Sequence, residues 1–215
     1  RKLGDPRVAL RLVTVLQKTS DPSFREEIVV TLGQLRDPRV APALIALLSD
    51  ENPVIQKQAG ESLLMLRPPP IELLIQALGD RRPDVQQIAS MLLARIGEPA
   101  TEMLIATLKR RDAPPTIRAK TELLLIKVLE ALPNNISVLI RALDAPSDRV
   151  RLLAVQSLGQ IDSVKAVPYL LAISEQEWHY PRSLRNAAKG ALDNIEVKVP
   201  EEAWRGAFHL ERRSR

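Results

Sequence analysis

A chain of 215 residues with 45% hydrophobic, 27% charged and only 3% aromatic residues must build its core from Leu, Ile, Val and Ala, and with no cysteine it can form neither disulfides nor thiolate metal sites. The net charge of +5 and a pI near 9.7 favour an acidic or phosphate-bearing partner. No apolar run approaches the roughly 20 residues of a membrane span, and no signal peptide opens the chain, so a reducing, cytoplasmic setting is expected.

Residues 3–20 predict one helix, started by Asp5-Pro6 within "LGDPRVAL". An Asp N-cap followed by Pro in the first turn is a helix start, because the missing Pro N–H has no intrahelical partner to lose. The chain opens inside this motif and without a methionine, as expected of a segment of something longer. The stretch "DPSFREEIVVTLGQLRDPRVAPALIALLSD" (21–50) then predicts two amphipathic helices divided by Asp37-Pro38. Phe24, Ile28, Leu32 and Leu35 share one helical face, and Val40, Ala43, Leu44, Leu47 and Leu48 share another. The plan recurs in 52–80, in 82–112 with Glu98-Pro99 at the divide, in a longer form at 113–144, and in 147–174; residues 183–195 supply one more first helix. Anchors at Phe24, Ile55, Val85, Ile117, Val150 and Leu184 are 31, 30, 32, 33 and 34 residues apart. Helix pairs of this period have no private core and must stack on their neighbours. The expected domain organisation is an array over 1–195 and a capping helix or basic tail over 196–215, in which Trp204 and Phe208 share a face.

Two stretches, "DPSFREEIVVTLGQLRDPRVAPALIALLSD" and "SDRVRLLAVQSLGQIDSVKAVPYLL", resemble the HEAT-repeat family, in particular its short bacterial phycobilisome-lyase-type repeats. The resemblance implies an all-α fold: an α-solenoid of about six helix-pair repeats, with second helices on the concave side. It also implies a ladder in which an Arg early in each first helix bonds an Asp at the turn. Arg25, Arg118, Arg151 and Arg185 match the Arg place, and Asp21, Asp50, Asp80, Asp112 and Asp148 match the acidic place. Gln56 and Gln86 depart from the pattern, so interruptions of the ladder are expected there.

Motifs for catalysis are missing. The two histidines, His179 and His209, stand alone, and no phosphate loop, HExxH or Gly-x-Ser-x-Gly occurs. Neither a catalytic residue, a cofactor nor a metal is expected. Basic residues gather at successive turns: Arg81-Arg82, Lys109-Arg110-Arg111, then Arg149 and Arg151. They read either as solvated surface neutralised by Asp80, Asp112 and Asp148, or as a ridge for an acidic partner. The loop at 174–183 carries Trp178 and Tyr180, which read either as cover for the stack or as an exposed aromatic contact. Scaffolding by protein–protein interaction is the expected function. A bilin-lyase-like or phycobilisome-associated role follows from the family resemblance as the alternative. Nucleic acid is a poorer partner, since aromatics are not interleaved with the charge. Oligomeric state is left open.

Overall fold

Proline stands in the first turn of α-helices at Pro6, Pro22, Pro53, Pro83 and Pro115. The computed structural model describes residues 6–131, 134–161, 164–176 and 179–198, and its regular elements are all helical. They are α1 (Pro6–Lys18), α2 (Pro22–Leu35), α3 (Ala41–Ala46), α4 (Pro53–Met65), α5 (Ile71–Ala77), α6 (Pro83–Ile96), α7 (Glu98–Lys109), α8 (Pro115–Ala131), α9 (Ile136–Ala142), α10 (Asp148–Gln160), α11 (Val167–Glu175) and α12 (Arg182–Lys198). Asp21 caps α2, its carboxylate accepting from the N–H groups of Ser23 at 2.9 Å and Phe24 at 3.4 Å. Asn52 does the same for α4 through the Val54 N–H, and Ser147 for α10 through the Val150 N–H. In each case a short polar side chain satisfies a donor that the helix leaves unpaired. Asp5 lies outside the described residues.

The second helices are shorter than their apolar periodicity suggests. A single helix over 38–48 is expected, but the chain makes a 3₁₀ turn at Pro38–Val40, then α3, then a second 3₁₀ turn at Leu47–Ser49. Pro42 is the cause, because it has no N–H to give to the carbonyl of Pro38 four residues back. The Ala41 N–H takes that carbonyl instead, closing a tighter turn. Val164–Ala166 and Pro168 repeat this arrangement ahead of α11.

The chain forms two compact units, residues 1–100 and 101–215. In the first, α2, α4 and α6 are the first helices, with α1, α3 and α5 beside them; in the second, α8, α10 and α12 alternate with α7, α9 and α11. Packing links elements close in sequence, as stacking of units without private cores requires. Leu32, Leu44, Leu93, Leu125 and Leu158 are buried as the periodicity predicts. Phe24 is not. It is 44% exposed and Ile117 is half-buried, although Ile55, Val85, Val150 and Leu184 at the same repeat position are buried. Those four are covered by the preceding repeat, whereas α2 is preceded by α1 alone among the described residues. The same gap leaves Val8, Leu10 and Val15 of α1 exposed, while Leu16 is buried and Leu12 and Val13 are half-buried. Leu35, expected in the core, is also only half-buried.

Closeness between successive first helices depends on one pair of positions. A Cβ placed on Gly33 would stand 2.6 Å from Ser62 Oγ and 2.8 Å from Ser62 Cα; one placed on Gly159 would stand 2.7 Å from Ala191 Cβ and 2.8 Å from Ala191 Cα. These are equivalent sites, nine residues after the anchor in one helix and seven after it in the next. Gly with a small partner lets α2 lie along α4, and α10 along α12. Ser62, buried there, donates its hydroxyl to the Val29 carbonyl at 2.9 Å. At the α4–α6 seam the same positions hold Leu64 and Leu92, and at the α8–α10 seam Ile126 and Ser157; both pairs of helices meet over a much shorter stretch.

Among the described residues one sits in the left-handed region without being glycine. Arg36, after α2, has φ of 54°, and the equivalent position after α6 is Gly97, with φ of 77°. A side chain in this region costs about 1 kcal/mol. Arg36→Gly is therefore expected to raise stability by about 0.5–1 kcal/mol, read as a higher urea midpoint. An unchanged or lower midpoint would count against that assignment of strain.

Candidate partner-binding surface

The inter-repeat turns are held by carboxylates. Asp80 accepts from the Arg82 backbone N–H and side-chain Nε, both at 2.9 Å. These hydrogen bonds from Arg82, side chain first and backbone second, hold the Asp80 carboxyl down at about 2, against an ordinary 3.8. A depressed carboxyl contributes stability above its unfolded pKa and loses it as pH falls through the folded one, so this contribution disappears between pH 3.8 and about 2. A carboxyl-carbon titration by NMR should place the Asp80 midpoint near 2, and Arg82→Ala should move it up toward 3.8. A midpoint unmoved by that substitution would show that Arg82 is not the cause.

Of the turn cations, Arg151 is bound to Asp148 and the others fall into two groups. Arg82 is paired with Asp80, Arg110 with Asp112 at 2.9 Å, and Lys109 with Asp144 of the following turn. Each of these carboxylates cancels a charge that a ridge would need. Arg81, Arg111 and Arg149 are exposed and make no ion pair among the described residues. Arg111 and Arg149 belong to the second unit and Arg81 to the first. In the second unit two ion pairs tie α7 to α9 and the turn after it, Glu102 with Arg141 and Lys109 with Asp144.

The position after each anchor holds its turn by a route that sequence reasoning misjudged. Arg25 does reach an acid of the next turn, Asp50, at 2.5 Å. Gln56 and Gln86 make no such ion pair with an Asp carboxylate, as expected, but they still hold their turns. Gln56 Nε2 donates to the Asp50 carbonyl at 2.6 Å, and Gln86 Nε2 to the Asp80 carbonyl. Arg118 likewise donates to the carbonyls of Arg110, Arg111 and Ala113, at 3.2 to 3.3 Å. Gln56, Gln86 and Arg118 thus share a long donor reaching back onto turn carbonyls, a task that an amide performs as well as a guanidinium, whereas Arg25 bonds a carboxylate.

Tyr180 is half-buried against the core of α10 and α12, with the Arg151 guanidinium 5.5 Å from its ring centroid and the His179 ring edge-on at 5.0 Å. Arg151 also pairs with Asp148. Trp178, the other aromatic of this loop, lies outside the described residues, as do Trp204, Phe208 and the rest of 199–215. Among the described residues no group of three or more His, Cys, Asp or Glu could hold a metal ion, and no helix is long and apolar enough to cross a membrane.

A feature that periodicity did not reveal lies in the first unit. Where α4 and α6 stand apart, a groove of about 170 Å³ opens over Gly60, floored by Ile88 and Leu92 and flanked by Met91, which is 52% exposed. Glu61 and Arg95 bridge the helices beside it at 2.6 Å. The signal was present in the sequence, since Leu64 and Leu92 replace the Gly-and-small pair that closes the α2–α4 seam.

Residues 1–64 match the family model described as HEAT repeats. The deoxyhypusine hydroxylase of Rattus norvegicus is 37% identical over 65 residues, which are 29% of this chain and 21% of that enzyme, so the match spans about a fifth of the relative's length. Among solved structures, human deoxyhypusine hydroxylase in complex with glycerol aligns over 90% of this chain and 75% of its own, at 26% identity and a TM-score of 0.35. The complex of CpcE and CpcF of phycocyanin lyase from Nostoc sp. PCC7120 aligns over 96% and 82%, at 19% identity and the same TM-score of 0.35. The family match covers residues 1–64, which resemble HEAT repeats, and helix pairs of similar period continue through the rest of the described residues.

Proposed function

We propose that the chain is a protein-binding module whose turn cations meet an acidic partner. The observation that carries this reading is the division of labour among polar groups. Those nearest the helices are consumed internally, by caps, turn carbonyls and ion pairs, whereas Arg81, Arg111 and Arg149 stand exposed and unpaired among the described residues. Exposed guanidinium groups steer and orient an acidic surface while contributing little to folding. Partner retention should therefore fall when Arg111 and Arg149 are both changed to Glu, and fall again with Arg81→Glu, at an unchanged melting temperature. It should also weaken as salt is raised toward about 1 M, where screening shortens to ~3 Å. Retention indifferent to both salt and charge reversal would refute the role of the turns.

A further inference from the structure

The groove between α4 and α6 is an apolar site with the cation Lys57 in its lining. Its floor is aliphatic, and Gly60 keeps it open: a Cβ there would rest in ordinary contact with Leu92 at 3.6 Å and Ile88 at 3.9 Å, so nothing in the packing requires glycine. Met91 stands beside it, with a flexible and polarisable side chain suited to closing on an apolar group. Size narrows the occupant. At about 170 Å³ the groove is smaller than the roughly 300 Å³ at which small-molecule pockets begin, and it suits one side chain. Charge narrows it further. Glu61 lies between Arg95, bonded at 2.6 Å, and Lys57 one turn back on α4, so one carboxylate faces two cations. Arg82 is held by Asp80 and Arg95 by Glu61, so Lys57 is a groove-lining cation with no ion pair among the described residues.

We propose that this groove receives one aliphatic side chain from an acidic segment of a partner protein, with a neighbouring carboxylate of that segment facing Lys57. This rests on the protein-binding reading and gives it a second contact, distinct from the turns.

The chain has three methionines, Met65, Met91 and Met103, so methyl-¹³C methionine labelling of the full chain yields three resonances. Met91 flanks the groove, and Met103 lies in the other unit as an internal reference. The probe is the capped hexapeptide Gly-Asp-Leu-Leu-Asp-Gly, compared with versions carrying Lys for Asp and Ala for Leu. Titration should move the Met91 methyl in a saturable manner and leave Met103 still. Both control peptides should bind at least tenfold more weakly. Gly60→Leu, which plugs the groove, should abolish the shift; Lys57→Glu should weaken it at least tenfold and serves equally if Gly60→Leu does not fold. A still Met91, or equal binding of the Lys peptide, overturns the proposal. So does a Met91 shift that depends on protein concentration alone, since the occupant would then be a second copy of the chain. Failure here with turn-charge variants still losing the partner removes only the groove; failure of both removes the protein-binding reading.

Discussion

Replacing Gly33 or Gly159 by alanine is expected to destabilise the chain, while the same change at Gly190 is expected to stabilise it. All three lie within helices, where alanine for glycine normally gains up to about 1 kcal/mol. At Gly33 and Gly159 the new methyl would stand 2.8 Å from the Cα of Ser62 and of Ala191, and backbone cannot rotate away as a side chain can. The seam must part along its length, at a cost of about 1–3 kcal/mol for overpacking, which exceeds the propensity gain. Nothing lies within 4 Å of the Cβ position at Gly190, and the gain there should be realised. Urea denaturation of the three variants settles the matter by sign. If Gly33→Ala and Gly159→Ala shifted the midpoint upward as Gly190→Ala does, the close approach of these helices would be refuted.

Truncating Leu125 should cost about 2–5 kcal/mol, the range for a buried Leu that leaves a cavity. Leu123, two residues earlier on α8, is 51% exposed, against 0% for Leu125, and its truncation should stay within about 0.5 kcal/mol. The contrast holds helix and residue type constant and varies only the face. Comparable losses at both positions would mean that α8 is rotated from the orientation described.

Helix starts and buried faces were legible because both obey local rules. A Pro after Asp or Asn marks a start wherever it falls, and Leu32 or Leu158 recurs on the stripe that stacking buries. The misreadings came from dependence on a neighbour. Phe24 has the anchor's spacing and chemistry, but burial of an anchor is conferred by the preceding repeat, and no period within α2 records whether that repeat is complete. Pro42 was visible, yet its effect on the Ala41 N–H depends on Pro38 four residues back, and a hydrophobic pattern is blind to that pairing. Gln56 and Gln86 do lack the ion pair that Arg25 makes to Asp50, but they hold their turns through backbone carbonyls, acceptors that every residue carries and that no residue pattern marks. The turn cations were legible as residues but not as free charges, since pairing of Lys109 with Asp144 joins positions 35 apart. The groove was hidden for a related reason: it is defined by what two distant residues fail to do.

That last feature bears on how such a chain can change over time. Whether a seam is shut or ajar is set by two side chains about thirty residues apart, and each variant is an ordinary apolar or small residue that a helix tolerates. A drift from Gly to Leu at one of them would open a cleft without unmaking the stack, and the reverse drift would seal it. New recesses can therefore be gained and lost through changes at two positions per seam, repeat by repeat, while the capped starts and the buried leucines stay as they are. Evolvability of the surface is thus partly uncoupled from the integrity of the core.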